Sequence, residues 1–94
     1  MITRVSKYTF TDVMTLKGFS YKGSVALFDY LEQLEDDLGE QIEFDPIAFA
    51  SEWYEYKTLE EVAHDFGEEY GDLDYLSQTT TTIEFENGIL VLNF

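Results

Sequence analysis

The chain has no cysteine, and only five of its 94 residues are lysine or arginine. The absence of cysteine excludes a disulfide scaffold, a zinc site built on thiolates and a cysteine nucleophile, and it favours a reducing cytoplasm. No segment approaches the ~18 apolar residues that a membrane span needs, and the first residues lack the apolar run of a signal peptide. We therefore expect a soluble, cytoplasmic protein that does not associate with membranes.

Acidic residues, in contrast, are abundant. Twenty aspartates and glutamates give a formal net charge of −15, and residues 23–94 hold nineteen of them against one lysine, a formal charge of −18. The basic residues of the first 22 positions are Arg4, Lys7, Lys17 and Lys22. Such a field repels nucleic acid and attracts basic protein surfaces over about a Debye length, ~8 Å at physiological salt.

The length and the apolar content indicate a folded protein. Ninety-four residues are enough for a single domain with one core, and we treat residues 1–94 as that domain. The hydrophobic fraction is 45%, and the chain has eight phenylalanines, seven tyrosines and one tryptophan. This content excludes a disordered acidic tail, which would lack such residues.

The first half of the chain predicts two helices. Residues 8–17 could form a strand by their β-branched content, but we favour a short helix that begins at Thr9 or Thr11 and ends at Gly18. A longer helix follows Ser20 and ends at Gly39. One face of it has the leucine spacing of a buried stripe, with Leu27, Leu31, Leu34 and Leu38. The opposite face is anionic and carries Asp29, Glu32, Asp36 and Glu40, flanked by Glu35 and Asp37.

The second half predicts strands around one more helix. Residues 47–56 read as a strand entered at Pro46. Thr58 and Glu61 form a capping box for a helix that Gly67 ends. Residues 68–78 then read as a loop with a helical turn over 73–76. The last residues predict a hairpin that turns on a type I′ Asn87-Gly88 pair.

Together these elements predict an α+β fold. We expect an antiparallel sheet of about three strands that packs one face against the long acidic helix and one or two shorter helices.

The sequence shows no recognisable arrangement of catalytic residues. His64 is the single histidine, and no serine lies in a nucleophile elbow. The carboxylates do not follow the spacing of a calcium-binding EF-hand loop. We therefore expect no enzymatic activity, no catalytic residue, no metal site and no cofactor.

An aromatic group in the second half has two interpretations. Trp53, Tyr54 and Tyr56, with Tyr70 and Tyr75 downstream, could pack the core and its boundary, which is the commoner role. Alternatively, Trp53 and Tyr56 could anchor a basic partner, because rings among carboxylates bind arginine well.

Rows of carboxylates on a helix can approximate the phosphate array of DNA. Residues three or four apart lie ~5 to 6 Å apart along the helix axis. A protein that binds DNA through lysine and arginine does not readily distinguish such a row from a phosphate backbone. A solvated acidic face is the ordinary alternative, but solubility needs a net charge of only about 2 to 8 in magnitude.

The middle of the chain resembles small acidic proteins encoded by bacteriophages. The likeness covers residues 19–67, about half of the chain, and is carried by the segments LFDYLEQLEDDLGE, EFDPIA and EYKTLEE. Small acidic phage proteins with an activity are similar to anti-restriction and anti-CRISPR inhibitors. The resemblance therefore implies a protein of the bacterial host cytoplasm that blocks a defence complex, often by occupying its DNA-binding channel.

These observations lead to one functional hypothesis and one alternative. The hypothesis is a DNA-mimicking inhibitor that binds a basic nucleic-acid-binding host protein and does not bind nucleic acid itself. The expected partner-binding residues are Asp29, Glu32, Glu35, Asp36, Asp37, Glu40, Glu60, Glu61, Glu68, Glu69, Asp72 and Asp74. The alternative is an accessory protein-interaction domain, which could be a homodimer, whose charge is only solubilising.

Overall fold

A computed structural model describes residues 5–94, so Arg4 of the basic N-terminal segment lies outside the described residues. The helices are α1 (Lys7–Leu16), α2 (Tyr21–Leu38), α3 (Pro46–Glu52), α4 (Leu59–Phe66) and α5 (Leu73–Thr79). The strands are β1 (Trp53–Tyr56), β2 (Thr82–Phe85) and β3 (Gly88–Leu92), and a 3-10 turn spans Glu68–Gly71. The predicted α+β class is confirmed. None of the helices in residues 5–94 combines the length and apolarity that crossing a bilayer requires.

Strand β3 is the central strand of the sheet and contributes side chains to both buried clusters. It pairs antiparallel with β1 on one side and with β2 on the other. Successive side chains of a strand point to opposite faces of the sheet. On β3, Leu90 joins one buried cluster whereas Ile89 and Val91 join another. Both faces of the sheet are therefore covered.

Helices lie on each face of the sheet. The first layer consists of α1, α2 and α3, whose buried side chains include Phe10, Leu27 and Phe49. The second layer consists of α4, the 3-10 turn and α5, and it buries Val62 and Leu76. The prediction placed helices on one face of the sheet, and the structure has helices on the second face as well. The reason is that three consecutive residues of β3, Ile89, Leu90 and Val91, are all apolar and point alternately to the two faces.

The predicted α1 and α2 are both present. The cap of α1 is Ser6, whose hydroxyl accepts a hydrogen bond from the Thr9 amide at 3.2 Å, and neither Thr9 nor Thr11 has that role. Ser20 caps α2 as predicted, and Gly39 ends it in the left-handed region at φ 66°.

The predicted strand over residues 47–56 is wrong in its first half. The Asp45 carboxylate accepts a hydrogen bond from the Ala48 amide at 3.1 Å, and Pro46 occupies the first turn of α3. A capping aspartate followed by proline starts a helix more strongly than the apolar run that follows favours a strand. The strand begins only at Trp53.

The later elements follow the prediction with three differences. The Thr58 cap and the Gly67 end of α4 are confirmed. The Glu61 carboxylate reaches back as a capping box requires, but it accepts a hydrogen bond from the Lys57 amide, one residue before the cap. Helix α5 extends to Thr79, three residues beyond the predicted turn. The hairpin loop is Glu86 and Asn87, because Gly88 already pairs with Phe85 in the sheet. A side chain at Gly88 would collide with the Tyr56 carbonyl, which explains why the glycine lies in the strand.

Candidate interaction surfaces

Two acidic stretches of the chain carry the same number of carboxylates. Residues 32–45 and residues 60–74 each contain seven carboxylates and neither lysine nor arginine. Most of these side chains are exposed. The first stretch begins in α2 of the first layer, and the second stretch runs through the second layer. The fold therefore separates the expected partner-binding residues into two groups on opposite faces of the sheet.

At the start of the acidic face, Asp29 is engaged by the basic N-terminal segment. Lys7 of α1 places its ammonium 3.0 Å from the Asp29 carboxylate, and its side chain also approaches the Phe28 ring. This pair braces α1 against α2. The charge of Asp29 is therefore partly neutralised within the protein.

Glu35 belongs to the fold and does not lie on the exposed acidic face. It is only 8% exposed, and its carboxylate accepts a hydrogen bond from the Ile42 amide at 2.6 Å. This bond lowers the pKa of Glu35 below its usual range, against the opposing effect of burial. The expectation that Glu35 contacts a partner is wrong for this reason: its side chain holds the segment after α2 against the helix.

The carboxylates at the end of α2 and just beyond it form what we call the acidic ridge: Glu32, Asp36 and Asp37 on the helix, and Glu40 after Gly39. Three of them, with Glu35, line an open cleft of about 340 Å³. Asp36 and Asp37 lie in the last turn of α2, where the structure has no basic side chain. The helix dipole is negative at this end, so each exposed carboxylate here costs roughly 0.3–1 kcal/mol.

Most carboxylates of residues 60–74 occupy the opposite kind of position, and the exception is Asp65 in the last turn of α4. Glu60 and Glu61 lie in the first turn of α4, and Asp74 lies in the first turn of α5. The Asp72 carboxylate caps α5 by accepting a hydrogen bond from the Asp74 amide at 3.0 Å. Helix starts carry a positive partial charge, so these acids stabilise the helices that contain them.

The two proposed aromatic anchors have different environments. Trp53 is 4% exposed and packs edge-on against Tyr30, with ring centroids 5.6 Å apart, so it is a core residue and offers no surface to a partner. Tyr56 is half-buried. Burial raises the pKa of Tyr56, and a hydrogen bond to Asp65 raises it further. The core interpretation therefore holds for Trp53, and the interface interpretation loses one of its two anchors.

Two lysines lie far from the acidic ridge. Lys22 and Lys57 line an open cleft of about 720 Å³ beside the hairpin tip. The Lys22 ammonium is 2.8 Å from Glu86 and lowers the pKa of that carboxyl. Lys22 and Asp36 are separated by about 20 Å of α2, at a rise of ~1.5 Å per residue. The lysines of this cleft therefore do not neutralise the carboxylates of the acidic ridge.

His64 lies exposed beside carboxylates. It lines a shallow pocket with Tyr56, Glu60, Glu61 and Asp65. Across residues 5–94, no three histidines or carboxylates are grouped so that they could hold a metal ion.

Comparison with family models, with curated proteins and with solved structures finds no match to this chain. The functional argument therefore depends on the charge, the exposure and the position of the side chains described above.

Proposed function

We propose that this protein is a non-enzymatic inhibitor of the type made by bacteriophages. In this proposal it binds a basic nucleic-acid-binding surface of a host defence complex, such as a CRISPR surveillance complex or a restriction enzyme. Its carboxylates occupy positions that DNA phosphates otherwise take, and binding excludes DNA by competition. The proposal places the protein in the bacterial cytoplasm.

The observation that carries the proposal is the acidic ridge at the end of α2. Asp36 and Glu40 are exposed, and neither forms an ion pair with any residue between 5 and 94. Their position against the negative end of the helix dipole disfavours the folded helix. Features that break a local rule without a compensating contact are expected at functional sites. A cationic partner would supply the compensation that the fold does not.

The geometry of the ridge suits a phosphate-binding surface. Glu32 and Asp36 are four residues apart on α2, which places their carboxylates ~6 Å apart along one face. Glu40 follows the Gly39 end of the helix and lines the same cleft. Lysine and arginine side chains that follow a DNA backbone can engage such a row. Release of counter-ions from both surfaces would favour binding and make it strongly dependent on salt.

A competition experiment tests the proposal. The immobilised full chain is incubated with bacterial lysate at low salt, and the retained proteins are then challenged with duplex DNA. We expect retention of a basic DNA-binding protein that duplex DNA and raised salt both release. Retention that neither agent reverses would contradict the proposal.

The control is a variant that keeps the shape of the ridge and removes charge. Asp36→Asn combined with Glu40→Gln should lose retention of the same protein, while its melting temperature is unchanged or higher. Full retention by this variant would show that the ridge is not the binding surface.

A further inference from the structure

A row of aromatic rings lies on the second layer, on the opposite side of the sheet from the acidic ridge. We call it the aromatic row, and its members are Tyr54, Phe66, Phe94, Tyr70 and Tyr75. Consecutive ring centroids are 6.1, 5.0, 5.2 and 5.2 Å apart. Only Phe66 and Tyr70 pack against the buried cluster of this layer.

The row is partly open to solvent. Tyr54 is 37% exposed, Tyr75 is 40% exposed and Phe94 is 47% exposed. Apolar rings that are in contact with one another and remain exposed are typical of a protein-binding surface. Isolated surface aromatics such as Tyr8 do not have this continuity.

Carboxylates flank the row. Burial raises the pKa of Tyr70, and the neighbouring Tyr75 and the charge of Glu69 raise it further, which places Glu69 beside the row. Asp65 raises the pKa of Tyr56 beyond the effect of burial, and the Tyr56 ring contacts Phe66 at 6.0 Å between centroids. Residues 58–79 contain no lysine or arginine. A ligand of this surface must therefore have planar or apolar groups and positive charge.

We propose that the aromatic row binds an arginine-rich segment of a partner protein, with guanidinium groups stacked on the rings and paired with the flanking carboxylates. Arginine combines a planar face with a charge that is weakly hydrated, whereas the lysine ammonium does not stack. Alternate side chains of an extended peptide lie about 7 Å apart, close to the spacing of the rings. Successive arginines on one side of such a peptide can therefore lie over successive rings.

This surface is distinct from the ridge, so the two proposals can fail separately. The test measures binding of two labelled peptides of equal length, one of arginine only and one of lysine only, to the full chain by fluorescence anisotropy. We expect the arginine peptide to bind more tightly at every salt concentration. Equal affinity for the two peptides would overturn the proposal, because charge alone would then account for binding.

Substitutions identify which residues are responsible for the preference for arginine over lysine. Tyr75→Leu and Phe94→Leu should each reduce the arginine-over-lysine ratio by about two- to fivefold, the contribution of one exposed cation–π contact. Tyr75→Phe keeps the ring and should keep the ratio. Tyr8→Leu removes an aromatic side chain that is 78% exposed on α1 and should leave the ratio unchanged. An equal loss in the Tyr8→Leu variant would overturn the assignment.

Two further outcomes would also overturn it. If the Asp36→Asn and Glu40→Gln variant loses the arginine preference, the peptide binds on the acidic ridge. If sedimentation shows self-association that Tyr75→Leu abolishes, and the wild type shows no arginine preference, the row is an interface between copies of this chain. Thermal melting of each variant establishes that the fold is retained.

Discussion

The two acidic stretches differ in what their charge does for the fold. In residues 60–74 six of the seven carboxylates lie at helix starts, where they cap amides or complement the helix dipole, and only Asp65 lies in the last turn of a helix. In residues 32–45, Glu35 and Asp45 also bond backbone amides, but Asp36 and Asp37 lie at the end of α2, where they oppose the dipole. The same number of carboxylates therefore stabilises the helices of residues 60–74 and destabilises the end of α2.

This difference separates structural acids from candidate binding acids. A count of carboxylates gives both stretches the same weight, because each contains seven. The position of each acid relative to a helix end, and its hydrogen bonds, distinguish them. Asp36 and Glu40 stand out, because their carboxylates form neither a hydrogen bond nor an ion pair with any residue between 5 and 94.

The largest expected effect is a loss of stability when a side chain is removed from one of the two buried clusters. Phe10→Ala should lower the free energy of unfolding by about 3–5 kcal/mol. Phe10 is fully buried and contacts the rings of Phe28, Phe44 and Phe49 at 5.3, 5.5 and 6.2 Å between centroids. Urea unfolding measures the change. A cost below about 1 kcal/mol, in the range of surface substitutions, would show that the first layer is not packed as described.

The matched change in the second layer is Leu76→Ala. Leu76 is fully buried in the smaller cluster, and its loss should cost about 2–5 kcal/mol. Because β3 contributes to both clusters, we expect each variant to unfold in a single transition. Two separate transitions would mean that the layers are independent units.

The next effect concerns the buried acid of the first stretch. Glu35→Gln should destabilise the protein by about 1–3 kcal/mol at neutral pH, because a charged acceptor of the Ile42 amide is lost. The folded-state pKa of Glu35 is lowered, so its stabilisation is present above the unfolded pKa and disappears as pH falls through the folded pKa. The difference between wild type and variant should therefore shrink in acid. A difference that is constant with pH would contradict this role.

Neutralising acids at the two kinds of helix end should change stability in opposite directions. Asp36→Asn with Asp37→Asn should stabilise the protein, and Glu60→Gln with Glu61→Gln should destabilise it, by about 0.3–1 kcal/mol per residue. Thermal melting at low salt measures both. If the two pairs shift the melting temperature in the same direction, general charge repulsion outweighs the dipole effect. The position of an acid at a helix end would then not decide whether it stabilises the fold.

The smallest expected effect on stability comes from the ion pair that joins α1 to α2. Lys7→Met removes the ion pair with Asp29, whose side chains are 45% and 59% exposed. An exposed pair of this kind contributes less than about 1 kcal/mol. Melting in low and high salt should show a small loss that salt reduces. A loss as large as that of Phe10→Ala would mean that the pair organises the first layer.

Local signals in the sequence predicted most elements of the fold. Ser20 and Gly39 bound α2, and the Thr58 cap begins α4, because caps act on adjacent amides. Helix α3 was not predicted, because the apolar run after Pro46 favours a strand and the Asp45 cap was not recognised. The covering of both sheet faces depends on packing between distant segments and has no local signal.

The site was predicted less completely than the fold. Glu35 lies four residues after Leu31 and eight after Leu27, on the buried stripe of α2, so helical phase could have identified it as buried. The separation of the two acidic stretches could not be predicted, because it follows from the order of strands in the sheet. Phe66 and Phe94 were missed because they meet only in the tertiary structure.

The most direct test of the central claim compares two triple variants with the same change of charge. One reverses Asp36, Asp37 and Glu40 to lysine, and the other reverses Glu60, Glu68 and Asp74 to lysine. Binding is measured to the DNA-binding protein that duplex DNA displaces from the wild type. We predict that reversal on the ridge weakens binding by about tenfold or more, ~1.4 kcal/mol, and that the other reversal has a clearly smaller effect. Equal losses, or a larger loss for the second variant, would contradict the account.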